Sequence, residues 1–91
     1  MILETTAKYK FDPPFQVEEE QVRHGHGHFF LIDEPLFRAW GEGDTYIYAL
    51  HWLQRQVDSI VDQYLDTDPV PAWTETDLKT REMLEKRTTR V

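Results

Sequence analysis

His24-Gly25-His26-Gly27-His28 is the stretch whose residue types and spacing could do chemistry most directly. On an extended backbone alternate residues face one way, so the three imidazoles would line one face at steps of about 7 Å. Neighbouring pairs could share a metal once the backbone bends, and the intervening glycines permit bending. Neutral imidazole suits Zn, Ni or Cu. Glu18, Glu19 or Glu20 could add an oxygen ligand across a hairpin. Two other readings stand beside a functional metal site. One is a turn with solvated histidines; the other is the incidental Ni or Cu affinity of any Gly-His alternation.

The remaining candidates for chemistry are weaker. His51 has Leu50 and Trp52 as neighbours and no Ser or Cys to activate. Asp58 and Asp62 stand at i and i+4 and would share a helix face, as carboxylate pairs that hold Mg or act as acid and base do. Without a third group beside them they read as a solvated face. Gly41-Glu42-Gly43-Asp44 lacks the Lys of a phosphate loop, and no nucleophile elbow, zinc-protease motif or EF-hand loop occurs. The residues therefore argue for a protein that is not an enzyme.

Aromatic side chains carry more information. Trp40, Tyr46, Tyr48, Trp52 and Trp73 exceed what one small sheet-and-helix core can bury. Tyr48 and Trp52, at i and i+4, fall on one flank of a long helix. Three covers are open for that flank: the chain's own C-terminal segment through Trp73, a second copy, or a foreign protein. Aromatics with an acidic rim make good protein hot spots. Tyr48, Trp52 and Trp73 are thus the candidate partner-binding residues, with Glu18, Glu19 and Glu20 steering a basic partner.

Charge narrows the partner class. The chain of 91 residues carries 17 Asp and Glu against 10 Lys and Arg, a net charge of -7. Residues 1–75 hold 14 acidic against 5 basic, whereas residues 76–91 hold 3 against 5. So acidic a body repels phosphate backbones, which excludes nucleic acid as a direct partner. An aromatic share of 13% argues for a packed core, since disordered chains lack such residues. With no Cys there is no disulfide and no thiolate zinc site. No apolar run reaches the roughly 20 residues of a membrane span, and no leader pattern is visible. A cytoplasmic location is the expectation.

The elements that must position these residues follow from periodicity. Leu3, Thr5, Ala7, Tyr9 and Phe11 alternate with polar residues, which predicts a strand ended by Asp12-Pro13-Pro14. Gln16–His24 and His28–Ile32 predict a hairpin around the glycines in preference to one long strand. Leu36 to Trp40 is a last strand or one helical turn, and Gly41-Glu42-Gly43 reads as a loop. Tyr46, Leu50, Leu53, Val57, Ile60 and Tyr64, widened by Ala49 and Val61, form one apolar stripe. They predict a helix from about Thr45 to Leu65, capped by Asp44 or Thr45. After the connector Asp66–Ala72, Thr74 and Asp77 predict a capped helix over Glu75–Lys86, with a staple from Trp73 to Leu78. The tail Arg87–Val91 is expected to fray.

Gly43-Asp44-Thr45-Tyr46-Ile47-Tyr48-Ala49-Leu50 resembles the Gly-Asp-Thr…Ala-Leu start of the main helix in HicB-like antitoxins. Phe29-Phe30-Leu31-Ile32-Asp33-Glu34-Pro35 is similar to that family's second strand and its Asp/Pro turn. Small bacterial domains with a Gly-Asp-Ser…Ala-Leu helix start look equally close. The resemblance covers residues 1–65. The family's Pro-Gly turn is replaced by Leu36-Phe37-Arg38, and no DNA-binding motif is recognisable in Asp66–Val91. What it implies is a protein that masks another protein.

These readings converge on an α+β fold: a small antiparallel sheet of three to four strands, one long helix across it and a short C-terminal helix. Residues 1–65 form the sheet-plus-helix domain and residues 66–91 an accessory segment. The expected function is non-enzymatic binding of a basic protein partner, of antitoxin, immunity or phage-inhibitor type, with homodimer packing as a further option. A metal-binding role through His24, His26 and His28 is the alternative.

Overall fold

The structure, a computed structural model, describes residues 1–21, 28–32 and 36–91. Its elements in chain order are strands β1 (Ile2–Thr5), β2 (Tyr9–Gln21), β3 (His28–Ile32) and β4 (Trp40–Gly43), helices α1 (Tyr46–Leu65) and α2 (Glu75–Arg87), and strand β5 (Thr88–Arg90). The expected α+β architecture is present. The strands are antiparallel in the order β1-β2-β3-β4, and β5 adds to β2. No helix among the described residues is long and apolar enough to cross a membrane.

The arms of the expected hairpin pair, Val17 with Ile32 and Gln21 with His28; positions 22–27, which hold the end of its first arm and its expected turn, lie outside the described residues. The expected end of the first strand at the prolines does not occur. The chain turns earlier, at Thr6–Lys8, and β2 then runs straight through Asp12, Pro13 and Pro14, with the Asp12–Pro13 peptide cis. Along one side of β2, β5 is registered with Tyr9 to Phe11 and β3 with Val17 to Gln21. On the other side the register with β1 shifts between Leu3 and Thr5. Both prolines fall where the ladders are interrupted, so their missing N–H groups leave no partner unpaired. The Arg87 guanidinium fills the gap, donating to the Pro13 carbonyl at 2.8 and 3.0 Å and to the Pro14 carbonyl at 2.9 Å. It also stacks over the Phe15 ring, 4.2 Å from the centroid.

The tail expected to fray is thus held. Tyr9 pairs with Arg90 and Phe11 with Thr88, and the Val91 N–H donates to the Lys8 carbonyl at 2.9 Å.

α1 begins where the cap residue predicts: Thr45 Oγ1 accepts from the Tyr48 N–H at 3.2 Å. Its burying face is rotated from the expected stripe. Ala49, Leu53, Val57 and Val61 are fully buried, Leu50, Ile60 and Tyr64 are half-buried, and Tyr46 is exposed. The cause lies in Gly41-Glu42-Gly43, which is not a loop but strand β4, lying directly under the helix. A Cβ on Gly41 would sit 2.3 Å from the Ala49 carbonyl oxygen and 2.6 Å from the Leu53 nitrogen. Only glycine lets the helix backbone come that close, and the approach brings Ala49 and Leu53 down onto the sheet.

α2 carries the predicted capping box. Thr74 Oγ1 accepts from the Asp77 N–H at 3.1 Å while Asp77 accepts from the Thr74 N–H at 2.9 Å. Its Leu84 completes a core with Leu3, Tyr9, Phe11, Phe15, Val17, Phe37 and Ala39. Within it Phe15 stacks on Phe37 at 5.1 Å and meets Phe11 edge-on at 4.9 Å. Both helices cover this one face. Ile2, Glu4, Lys10, Asp12, Gln16, Glu18, Trp40 and Glu42 point the other way and are exposed.

Candidate functional site

The flank of α1 around Tyr48 and Trp52 is exposed, and nothing in the described chain folds over it. Tyr48 is 58% exposed, Trp52 46% and the adjacent Ile47 79%. Tyr48, His51, Trp52, Arg55, Gln56 and Ser59 line a groove of about 570 Å³. These residues include no carboxylate in a chain that is otherwise strongly acidic. The groove borders β4. A Cβ on Gly43 would meet Tyr48 Cδ1 at 2.4 Å, and Gln56 Oε1 accepts from the Trp40 N–H at 2.6 Å. Trp40, half exposed, therefore stands at the same edge of the molecule.

Trp73 does not join this cluster. Its ring meets Tyr64 edge-on at 5.5 Å near the other end of α1, about 18 Å from Trp52 at 1.5 Å per helical residue. Tyr64 also donates to Asp77 at 3.1 Å. Burial first, and then the Asp77 carboxylate, hold the Tyr64 phenol above its usual range. Trp73 thus docks the start of α2 against α1 and leaves the Tyr48–Trp52 flank uncovered. The expected staple partner, Leu78, is exposed.

Glu18 and Glu19 are exposed on β2, and Glu20 follows them in the same strand. Glu18 pairs with Leu31 and Leu31 with Trp40, which puts Glu18 and Trp40 in one cross-strand row. Of the candidate metal ligands, His24 and His26 lie outside the described residues, and His28 opens β3. Among the described residues no group of three or more His, Asp or Glu stands close enough to hold a metal.

Asp58 and Asp62 are not the solvated pair their spacing suggested. Asp58 is only 8% exposed and accepts a hydrogen bond from the Thr6 hydroxyl, which itself accepts from the Tyr9 N–H at 3.1 Å. Asp62 accepts from Lys8 Nζ at 2.7 Å and from the Tyr9 hydroxyl. One turn further, Asp66 pairs with Arg90, whose guanidinium lies 5.7 Å from the Tyr9 ring centroid. These aspartates clamp the β1–β2 turn and β5 onto α1. Lys8 first, then the Tyr9 hydroxyl, hold the Asp62 carboxyl below the usual carboxylate range. Burial, reinforced by the Asp62 hydrogen bond, pushes the Tyr9 phenol up to about 12. His51 is exposed at the groove, and no hydrogen bond or ion pair among the described residues joins it to either carboxylate. The arrangement of His51 beside Asp58 or Asp62 that hydrolytic chemistry would need is not formed.

Sequence reasoning missed the edge of β4 because two glycines around a glutamate carry no strand signal of their own. Comparison with protein-family models, curated proteins and solved structures returns no match for this chain.

Proposed function

We propose that this chain is a non-enzymatic binding protein that masks a protein partner through the flank of α1 around Tyr48 and Trp52. The observation that carries this reading is the exposure of those two rings and of Ile47 beside a groove without carboxylates. Half-exposed aromatic rings next to a groove are the usual anchors of a protein interface. The net charge of -7, with Glu18 and Glu42 exposed on the adjoining sheet face, favours a basic partner. Trp73 serves folding rather than binding in this reading. The likeness of Gly43–Leu50 to the helix start of HicB-like antitoxins points the same way, toward steric masking of an antitoxin, immunity or inhibitor kind.

The test compares affinity capture by the wild-type chain and by Trp52→Ala. The expected outcome is a basic protein held at one-to-one stoichiometry by the wild type. Trp52→Ala should weaken it by about 30-fold or more, as hot-spot truncations do. The helical circular dichroism of the variant should be unchanged. Full binding by Trp52→Ala would refute the assignment, and unfolding of the variant would return Trp52 to the core.

A further inference from the structure

We propose that the partner docks by adding a strand to the outer edge of β4, and that the added segment is extended, with basic residues alternating with apolar ones. This rests on the reading of the α1 flank as a protein-binding surface and says what enters it.

β4 is the last strand in the sheet order, and among the described residues it pairs with β3 alone. Trp40 gives its N–H to Gln56 rather than to β3. Outward and inward groups alternate along an antiparallel strand, so two residues on Glu42 also turns its N–H and C=O outward. The Trp40 carbonyl and both backbone groups of Glu42 then form a short template for a further strand. Edges are blunted by short strands, charged side chains, Pro, a bulge or a covering element. β4 is short and carries Glu42, a charge that repels acidic strands and admits basic ones, and it has no Lys, Pro or bulge. Its glycines are committed to the close approach of α1, while Gln56 occupies only the Trp40 end.

The two sides of the edge differ in chemistry, and this difference names the occupant. A strand added about 4.8 Å beyond β4 sends alternate side chains to opposite faces. On the helix side they meet Tyr48 and Trp52 at a groove that also carries Arg55 and His51, which suits apolar side chains and opposes basic ones. On the other side they meet the exposed Trp40 ring and the Glu42 carboxylate, with Glu18 in the Trp40 row. A carboxylate next to an indole face favours Lys or Arg through charge and cation–π attraction. A second copy fits worse, because it would bring its own Glu42 and its own net charge of -7 to the same edge. Main-chain hydrogen bonds with alternate side-chain pockets are the known physics of strand addition.

The experiment uses the full chain and a short synthetic peptide of alternating lysine and valine, with a glutamate–valine peptide as the charge control. Two further versions of the lysine–valine peptide are N-methylated, one on odd and one on even residues. Strand addition predicts saturable one-to-one binding of the parent peptide and none of the acidic one. One N-methyl set should weaken binding about tenfold, the loss of one to two hydrogen bonds, and the other should not. Glu42→Lys should weaken the parent peptide with the circular dichroism unchanged. Equal affinity of both N-methyl sets, or no binding of the parent peptide, overturns the proposal. A dimer in sedimentation that Glu42→Pro dissolves also overturns it, since the occupant would then be a second copy. A natural partner lost by Trp52→Ala but indifferent to Glu42→Lys and Glu42→Pro would leave the flank assignment standing and remove strand addition.

Discussion

Two buried polar residues do more for this protein than their types suggest. Asp58 and Thr6 satisfy each other between α1 and the β1–β2 turn, where both are largely buried. Asp58→Ala should cost about 1–3 kcal/mol in urea unfolding, because it strands the Thr6 hydroxyl. Asp58→Asn keeps an accepting oxygen and should cost clearly less; equal losses would mean that the carboxylate charge rather than the hydrogen bond matters. Tyr9 couples stability to alkaline pH. Its phenol titrates at about 12 in the folded chain against about 10 when unfolded, so the fold favours the protonated form. That contribution is fully present below pH 10 and is lost as pH rises from about 10 toward 12. Tyr9→Phe should therefore show a flatter decline of stability across that window in denaturant titrations. An unchanged slope would assign the decline to other groups.

At the scale of elements, the contact between α1 and β4 is the one with least tolerance. Its spacing is set by Gly41, whose nearest neighbours are backbone atoms of Ala49 and Leu53, which cannot rotate away as a side chain would. Gly41→Ala should destabilise by at least about 1–3 kcal/mol, seen as a lower urea midpoint with an unchanged slope. A neutral result would show that α1 can lift without loss. The same closeness explains the rotated burial of α1. Periodicity finds the apolar stripe, but the close approach at Gly41 decides that Ala49 and Leu53 are buried against the sheet while Tyr48 and Trp52 stay outside.

Over the whole molecule, covering only one sheet face gives a flat body of 43 × 27 × 18 Å with an acidic open side. The long strand β2 ties the parts together, since β1, β3 and β5 all pair with it. The last residues close this arrangement through the β5 ladder and the Arg90 contacts to Asp66 and Tyr9. Deleting residues 88–91 should lower global stability by on the order of 2 kcal/mol, while unfolding stays a single transition. If only the amides near Tyr9 lost hydrogen-exchange protection, with the global midpoint unchanged, β5 would be a local attachment instead.

The sequence alone determined what depends on neighbours within a few positions. A helix start at Asp44 or Thr45, the long helix to Leu65, the Thr74–Asp77 capping box and the pairing of the two strands flanking the glycines were all legible, because caps and periodicity are local signals. Tertiary structure decided whatever depends on a distant partner. Pro13 and Pro14 sit within a strand because Arg87 and the interrupted ladders accommodate them. Asp58 is buried because Thr6 is there to donate, and the tail is ordered because Tyr9 to Phe11 offer an edge. Tyr48 and Trp52 were recognisable as surplus aromatics, but their exposure was settled when Tyr64 claimed Trp73. A residue's own type sets what it can bond to, and only the packed chain sets what is within reach.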